Sequence, residues 1–261
     1  MTRIFLCTAA LACALGASAA ADELPPGLVA AELLPCWVAS DGTRITALRL
    51  DLAPGWKTYW RSPGDTGIPP HFGWEASDNV AAAEPLWPRP EVILSGGERT
   101  LGYHDELVLP IQLTPRDKGQ PVTARVSVDF GLCRDICVPA HVELQAPAPQ
   151  GEDPRIDAAL AQTPEPGEYV ARCTMTDIAD GVQVAVRIGK PETPGDTAAL
   201  ELAQNGVWVS QPVLTRDARG LTATADFVAP SGKPFPLDPA AVRLTLIAPE
   251  GAIEYQGCAP A

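Results

Sequence analysis

Residues 122–130 read Val122-Thr123-Ala124-Arg125-Val126-Ser127-Val128-Asp129-Phe130, and this stretch decides the fold class. Val122, Ala124, Val126, Val128 and Phe130 fall on one face, Thr123, Arg125, Ser127 and Asp129 on the other, which is the period of a half-buried strand. The alternation resumes at 138–144, where Val138, Ala140, Val142 and Leu144 face inward. Upstream, Ile45–Leu52 is rich in strand formers. In the second half Val182–Ile188, Leu221–Phe227 and Val242–Ile247 repeat the pattern, with Ala252–Tyr255 as a last strand. Short strands separated by Gly, Pro, Asn and Asp turns predict β-sandwiches.

Composition agrees. The 261 residues include 28 prolines, about twice the usual ~5 %, which disfavours long helices and coiled coils but not short strands. The formal net charge of −13 argues against nucleic acid or anionic lipid as a partner, since phosphate contacts need clustered Lys and Arg. A hydrophobic fraction of 46 % is that of a folded chain.

Residues 1–21 read as a cleavable export signal. Arg3 gives the positive start, Ile4–Ala14 an apolar run too short to span a bilayer, and small residues at 17–21 the cleavage region, with the cut after Ala19 or Ala21. No later stretch is apolar for ~18 residues, so no membrane insertion is expected after cleavage. About 240 mature residues suggest two domains. They are assigned to residues 22–147 and 167–261, joined by a Pro-rich linker at 148–166 in which Arg155–Thr163 makes one short helix before Pro164.

Five cysteines remain: Cys36, Cys133, Cys137, Cys173 and Cys258. An exported chain tends to pair its thiols, and an odd number leaves one over. Cys133-Arg134-Asp135-Ile136-Cys137-Val138-Pro139 lies between two alternating strands, so residues 134–136 form a hairpin tip that returns Cys137 toward Cys133. If the strand phase is unbroken, both cysteines fall on the outward face; Gly131 is where it could break. A disulfide across so short a loop gains only roughly 1.5–2 kcal/mol from loop closure. An exposed pair at a tip is instead open to attack by a thiolate. Three readings stand on the spacing: an exchangeable redox pair, a structural clip, and two thiolates that hold Cu(I) with one of His71, His104 or His141. Joining Cys173 to Cys258 would close a loop of about 86 residues, worth roughly 4–5 kcal/mol, and is read as a structural staple. Cys36 is the leftover thiol. No zinc spacing, phosphate loop or Ser-His-Asp set is recognisable, and no cofactor or resident metal is expected.

Three ordered stretches carry a resemblance. Gly55-Trp56-Lys57-Thr58-Tyr59-Trp60-Arg61-Ser62-Pro63-Gly64-Asp65, Gly102-Tyr103-His104-Asp105-Glu106-Leu107-Val108-Leu109-Pro110 and Cys133–Pro139 together resemble the periplasmic N-terminal region of DsbD-type thiol:disulfide interchange proteins, nearest to the ScsB-like branch. The resemblance spans most of 28–145 and, more loosely, the rest to Cys258. It implies immunoglobulin-like sandwiches in the periplasm and a protein-disulfide reductase relay. A membrane-embedded DsbD/CcdA-like electron carrier would reduce the cysteine pair, which then reduces periplasmic thioredoxin-like clients, including factors for copper tolerance or cytochrome c maturation. It also implies that Cys137, followed by x-Pro, forms the mixed disulfide, that Cys133 resolves it, and that a cap loop over Leu94–Tyr103, with Gly96 and Gly97 as hinges, shields the pair. Neither the membrane carrier nor a thioredoxin-like domain is recognisable in these 261 residues, so the carrier is expected in trans. The rival expectation is a non-catalytic exported binding or copper-handling module. The segment 55–70 reads either as core packing or as a rim around the cysteines, with Asp65, Asp105 and Glu106 as candidate proton-transfer groups.

Overall fold

A computed structural model describes residues 24–39, 42–95, 97–189, 195–202 and 206–261. The export signal read at 1–21 lies outside the described residues, as does the Cys36 side chain. The first half contains β1 (Leu28–Val38), β2 (Arg44–Leu52), β3 (Lys57–Tyr59), β4 (His71–Gly73), β5 (Val80–Pro85), β6 (Glu91–Ser95), β7 (Glu98–His104), β8 (Glu106–Pro115), β9 (Arg125–Cys133) and β10 (Cys137–Gln145). Helix α1 (Pro154–Leu160) and β11 (Glu165–Pro166) follow. The second half holds β12 (Arg172–Asp177), β13 (Val182–Ile188), β14 (Thr197–Leu202), β15 (Trp208–Val209), β16 (Val213–Asp217), β17 (Gly220–Val228), β18 (Val242–Ala248), β19 (Gly251–Gln256) and β20 (Ala259–Pro260).

The chain is all-β, built as two immunoglobulin-like sandwiches. In the first, the sheet β1-β2-β8-β5 faces the sheet β10-β9-β3-β7-β6, with β4 also paired to β9. In the second, β11-β19-β18-β14 faces β15-β17-β13-β12-β20, with β16 paired to β17. Strict alternation produces this layering. Val126, Val128 and Phe130 of β9 interleave with Leu48, Leu50, Leu109 and Ile111 of the opposite sheet around the buried Trp60 and Trp87. β17 alternates buried and half-buried residues along its whole length, and Leu221, Ala223, Ala225 and Phe227 enter the second core. Each fully buried Leu, Ile or Phe contributes about 1.5–3 kcal/mol, so the two cores supply most of the driving force.

Boundaries differ from the sequence expectation in two places. β9 starts at Arg125 rather than Val122, because Thr123 is held off the ladder in an isolated bridge with Asp78. The helix spans Pro154–Leu160, not 155–163. Asp153 caps it by accepting from the Arg155 N–H, with Pro154 in the first turn. Ile156 is buried with Leu34, Ile45 and Ala47, so α1 closes the outer face of β1-β2-β8. The segment read as linker is therefore docked at both ends: α1 on the first sandwich, and Glu165–Pro166 in parallel pairing with β19 of the second.

The sandwiches also touch directly. Arg61 donates to both carboxylate oxygens of Glu201 at 3.0–3.2 Å, and reaches Glu254 and Thr245 with the other arm. Asp65 accepts from the Gln211 N–H at 3.0 Å, Gln211 donates to the Arg99 carbonyl at 2.7 Å, and Arg89 donates to the Ala248 carbonyl at 3.2 Å.

Candidate functional site

Strand β3 is the element that makes the site. β2 ends at Leu52, and the turn Ala53-Pro54-Gly55-Trp56 closes with the Trp56 N–H on the Ala53 carbonyl. Pro54 presets the first corner, and Gly55 supplies the positive φ of +80° that the second requires. The chain then slots three residues between β7 and β9, where Lys57 opposes His104 on one side and Cys133 on the other. Cys133 in turn opposes Cys137. One row of the sheet therefore runs Cys137, Cys133, Lys57, His104 with all four side chains on the same face, neighbours about 4.5–5.5 Å apart at Cβ.

The cysteines close the β9–β10 ladder as its last pair, bonded to each other with Cα atoms 4.1 Å apart. Their environments differ sharply. Cys137 is exposed, whereas Cys133 is only 1 % exposed. An unbroken strand phase predicts both outside; both do project to the outer face, but at Cys133 that face is roofed. The roof is Tyr59, whose hydroxyl stands 2.8 Å from Cys133 Sγ and 3.3 Å from Cys137 Sγ. Gly131 makes the roof fit. A Cβ there would lie 3.0 Å from the Tyr59 ring and 2.9 Å from Ile68 Cβ, so only glycine lets the ring lie flat on β9. Burial pushes the Tyr59 phenol above its ordinary pKa, which keeps it protonated and able to donate toward sulfur at neutral pH.

Lys57 is buried to 9 % exposure and donates to Thr100 Oγ1 at 3.2 Å. Among the described residues no carboxylate comes within ion-pair distance of it, and desolvation lowers its pKa. The tip charges are spoken for: Arg134 pairs with Asp135 at 2.9 Å and lies 5.5 Å over the Trp56 ring. A groove of about 330 Å³ runs beside the disulfide, walled by Lys57, His104, Cys133 and Arg134 on one side and by β6 on the other. Ile136 at the tip and Leu94 on β6 are 71 % and 76 % exposed, so apolar side chains flank the sulfurs on both sides.

Other sequence candidates are placed elsewhere. Asp65 serves the contact between sandwiches. Asp105 forms the turn between β7 and β8 with φ +59°, and Glu106 pairs with Arg49 at 2.6 Å. His104 is bound to Glu91 at 2.8 Å and His141 to Asp129 at 2.8 Å. His71 and His141 both oppose Asp129, four residues along β9 from Cys133 and so about 13 Å from the sulfurs. The structure thus does not bring those two histidines to the cysteines, and among the described residues no group of three or more metal-ligating side chains is assembled. In the cap region, Leu94 and Ser95 face Cys133 across the groove while Tyr103 is buried and donates to the Pro88 carbonyl; Gly96 lies outside the described residues. Cys173 and Cys258 are joined in the second sandwich, Cα atoms 5.7 Å apart, 85 residues apart in sequence.

Lys57 and Tyr59 belong to the segment 55–70, for which the sequence offers a rim around the cysteines as one of two readings, but no motif singles out either residue. Their two-residue spacing puts them on one face of a strand, and that was the available signal; a three-residue strand is too short for the pattern to stand out.

Residues 29–149 match the family described as thiol:disulfide interchange protein DsbD, N-terminal. The match contains β3, Tyr59 and both tip cysteines and leaves out the second sandwich. No curated protein matches the chain. Among solved structures, the N-terminal periplasmic domain of ScsB from Proteus mirabilis superposes with a TM-score of 0.63 at 22 % identity, covering 87 % of this chain and 92 % of that one. The likeness extends the shared fold across both sandwiches.

Proposed function

We propose that this chain, in which residues 29–149 form a domain of the DsbD N-terminal family, is a periplasmic thiol:disulfide interchange protein that relays electrons through Cys133 and Cys137. The observation that carries the reading is the asymmetry of the pair: one sulfur exposed at a hairpin tip, the other buried under a phenol that contacts both. A structural clip has no use for that arrangement. In an exchange reaction it sets which sulfur is attacked and which leaves.

In the forward step an external thiolate attacks Cys137 Sγ. The Cys133–Cys137 bond breaks, a mixed disulfide forms at Cys137, and Cys133 leaves as a thiolate beneath the Tyr59 hydroxyl. A second donor thiolate then attacks the mixed disulfide, and protons from solvent complete the dithiol. Two electrons have entered and the donor is now a disulfide. In the discharge step Cys137 attacks a client disulfide, and Cys133 resolves the mixed intermediate, restoring the internal bond. The donor in this reading is a membrane-embedded DsbD/CcdA-like carrier. The clients are periplasmic thioredoxin-like proteins, of the kind that serve copper tolerance or cytochrome c maturation. No helix among the described residues is long and apolar enough to cross a membrane. The Cys173–Cys258 bond, within the second core, is assigned a structural role.

The test is capture. Cys133→Ser leaves a mixed disulfide at Cys137 unresolved, so periplasmic partners should accumulate covalently on that variant and not on Cys137→Ser. Equal absence of adducts on both would overturn the relay. Stoichiometric Cu(I) retained by the reduced protein, and lost with either tip cysteine, would replace it with the copper-handling reading.

A further inference from the structure

Lys57 holds a charge that the fold does not compensate. Lys57 is 9 % exposed as a residue; its ammonium makes one neutral hydrogen bond, to Thr100, and has no carboxylate partner among the described residues. A partly desolvated cation without an anionic partner is unfavourable, and a methionine of the same length would fill the space without that cost. The groups around it are already engaged. His104, its neighbour on β7, is held by Glu91. Arg134 at the tip is held by Asp135. Tyr59, two residues along β3, turns its hydroxyl to the sulfurs, and its ring centroid lies 6.0 Å from Lys57 Nζ. The remaining neighbour in the row, on β9, is Cys133.

In the disulfide form Cys133 is neutral, so the lysine meets only the Thr100 hydroxyl and the face of the Tyr59 ring, and no anion. Opening of the bond by attack at Cys137 changes that, because the departing Cys133 sulfur becomes a buried anion. Such an anion is also unfavourable, and the two residues are partners in the same ladder and line the same groove, with the ammonium anchored on the β7 side at Thr100. We infer that Lys57 is a positioning residue for the exchange: its ammonium stabilises the Cys133 thiolate, so that Cys133 is the better leaving group and the reduced pair is favoured. The inference rests on the interchange reading and adds to it the group that sets the poise of the pair. Oxidised, the site stores an uncompensated charge; reduced, it neutralises it. Lowering of the lysine pKa by burial fits an ammonium that lacks a partner in the oxidised form. Thr100 keeps the chain from swinging into solvent, and the Tyr59 phenol supplies the short-range hydrogen bond while Lys57 supplies the longer-range field.

The experiment is a redox titration of the whole protein against glutathione with thiol trapping and mass spectrometry, on the unaltered chain, Lys57→Met and Lys57→Arg. With Lys57→Met the equilibrium should move about tenfold toward the disulfide, some 30 mV for a two-electron couple, and Lys57→Arg should restore most of it. Opening of the disulfide by a small thiol should slow by a similar factor in Lys57→Met only. Thermal unfolding of the oxidised Lys57→Met protein should be unchanged or raised, which a merely structural lysine would not allow. A measurement on the unaltered protein guards against a variant that fails to fold. If Cys133 is a thiolate near neutral pH, reduction takes up one proton per two electrons while glutathione oxidation releases two, so the equilibrium against glutathione moves about tenfold toward the dithiol per unit rise in pH, some 30 mV; an equilibrium against glutathione that does not change with pH, the mark of two-proton uptake, overturns the inference. Identical titrations for the unaltered and Met chains overturn it as well, while leaving the relay intact. A tip pair that never titrates in the accessible range removes the relay itself, and the inference with it.

Discussion

Two residues fix the chemistry of the cysteine pair at the atomic level, one by what it adds and one by what it lacks. Tyr59 brings a hydroxyl to both sulfurs. Removing it in Tyr59→Phe leaves the ring and its packing, so the fold should lose only about 1 kcal/mol, the usual net value of a hydrogen bond. Stabilisation of the Cys133 thiolate is a charged hydrogen bond worth about 1.5–3 kcal/mol, so opening by a small thiol should slow at least tenfold, read by stopped-flow trapping. Gly131 lacks the atom that would lift the ring. Gly131→Ala should cost about 1–3 kcal/mol through overpacking and leave Cys133 more accessible, measured as faster alkylation of the reduced protein. An unchanged alkylation rate would mean the phenol does not shield that sulfur.

At the level of elements, the fold relies on short insertions more than on long strands. β3 contributes three residues and yet carries Lys57 and Tyr59 to the cysteines and leads straight into the buried Trp60. Helix α1 is seven residues long and would not persist alone; it stands because Ile156 is buried and Asp153 caps its start. The Arg155 guanidinium, hydrogen-bonded to Asp153, holds that carboxyl below the ordinary carboxylate range. The folded pKa thus lies below the unfolded one. The cap is therefore fully effective above pH ~4 and fades as pH falls through the folded value. Asp153→Ala should cost about 1 kcal/mol at pH 7 and show no difference from the unaltered chain well below pH 3, by denaturant melts at the two pH values. The Cys173–Cys258 bond is the one long-range covalent tie among the described residues, spanning 85 positions. Replacing both cysteines by serine should lower stability by about 2–5 kcal/mol without changing the redox equilibrium of the tip pair. A shifted tip equilibrium would show that the two disulfides are coupled.

The whole molecule is organised around the contact between sandwiches. Arg61 is two residues beyond Tyr59 and lies 4.4 Å over the Trp60 ring, with Glu201 and Glu254 of the second sandwich around it. Ala199 and Ile247 of that sandwich pack into the first core. The stretch from Gly55 to Asp65 therefore answers to both sandwiches, with its first half at the cysteines and its second half at the interface. Arg61→Met would strand the partly buried Glu201, while Glu254 keeps Arg243 at 3.5 Å and Thr245, a loss of about 1–3 kcal/mol for one unsatisfied partly buried charge. The expected outcome is a looser arrangement of the two sandwiches, seen as a larger radius of gyration by small-angle scattering and faster proteolysis near residues 206–212. An unchanged scattering profile would show that the apolar contacts suffice.

The amino-acid sequence by itself determined the class of fold, because alternation with a period of two is a local property that each strand carries without help from its neighbours. It also determined that Cys133 and Cys137 meet, since a three-residue tip leaves the ladder little choice of register. What it could not contain was the surroundings of the pair. That Cys133 is buried and Cys137 is not depends on β3, from 74 residues upstream, slotting beside β9 and laying Tyr59 over a glycine. The same slot brings Lys57 beside Cys133, and the same segment continues to the second sandwich through Arg61. These are pairings between distant strands, chosen by which packing buries the most apolar surface while leaving every ladder satisfied, and such a choice is made only when the whole chain has closed.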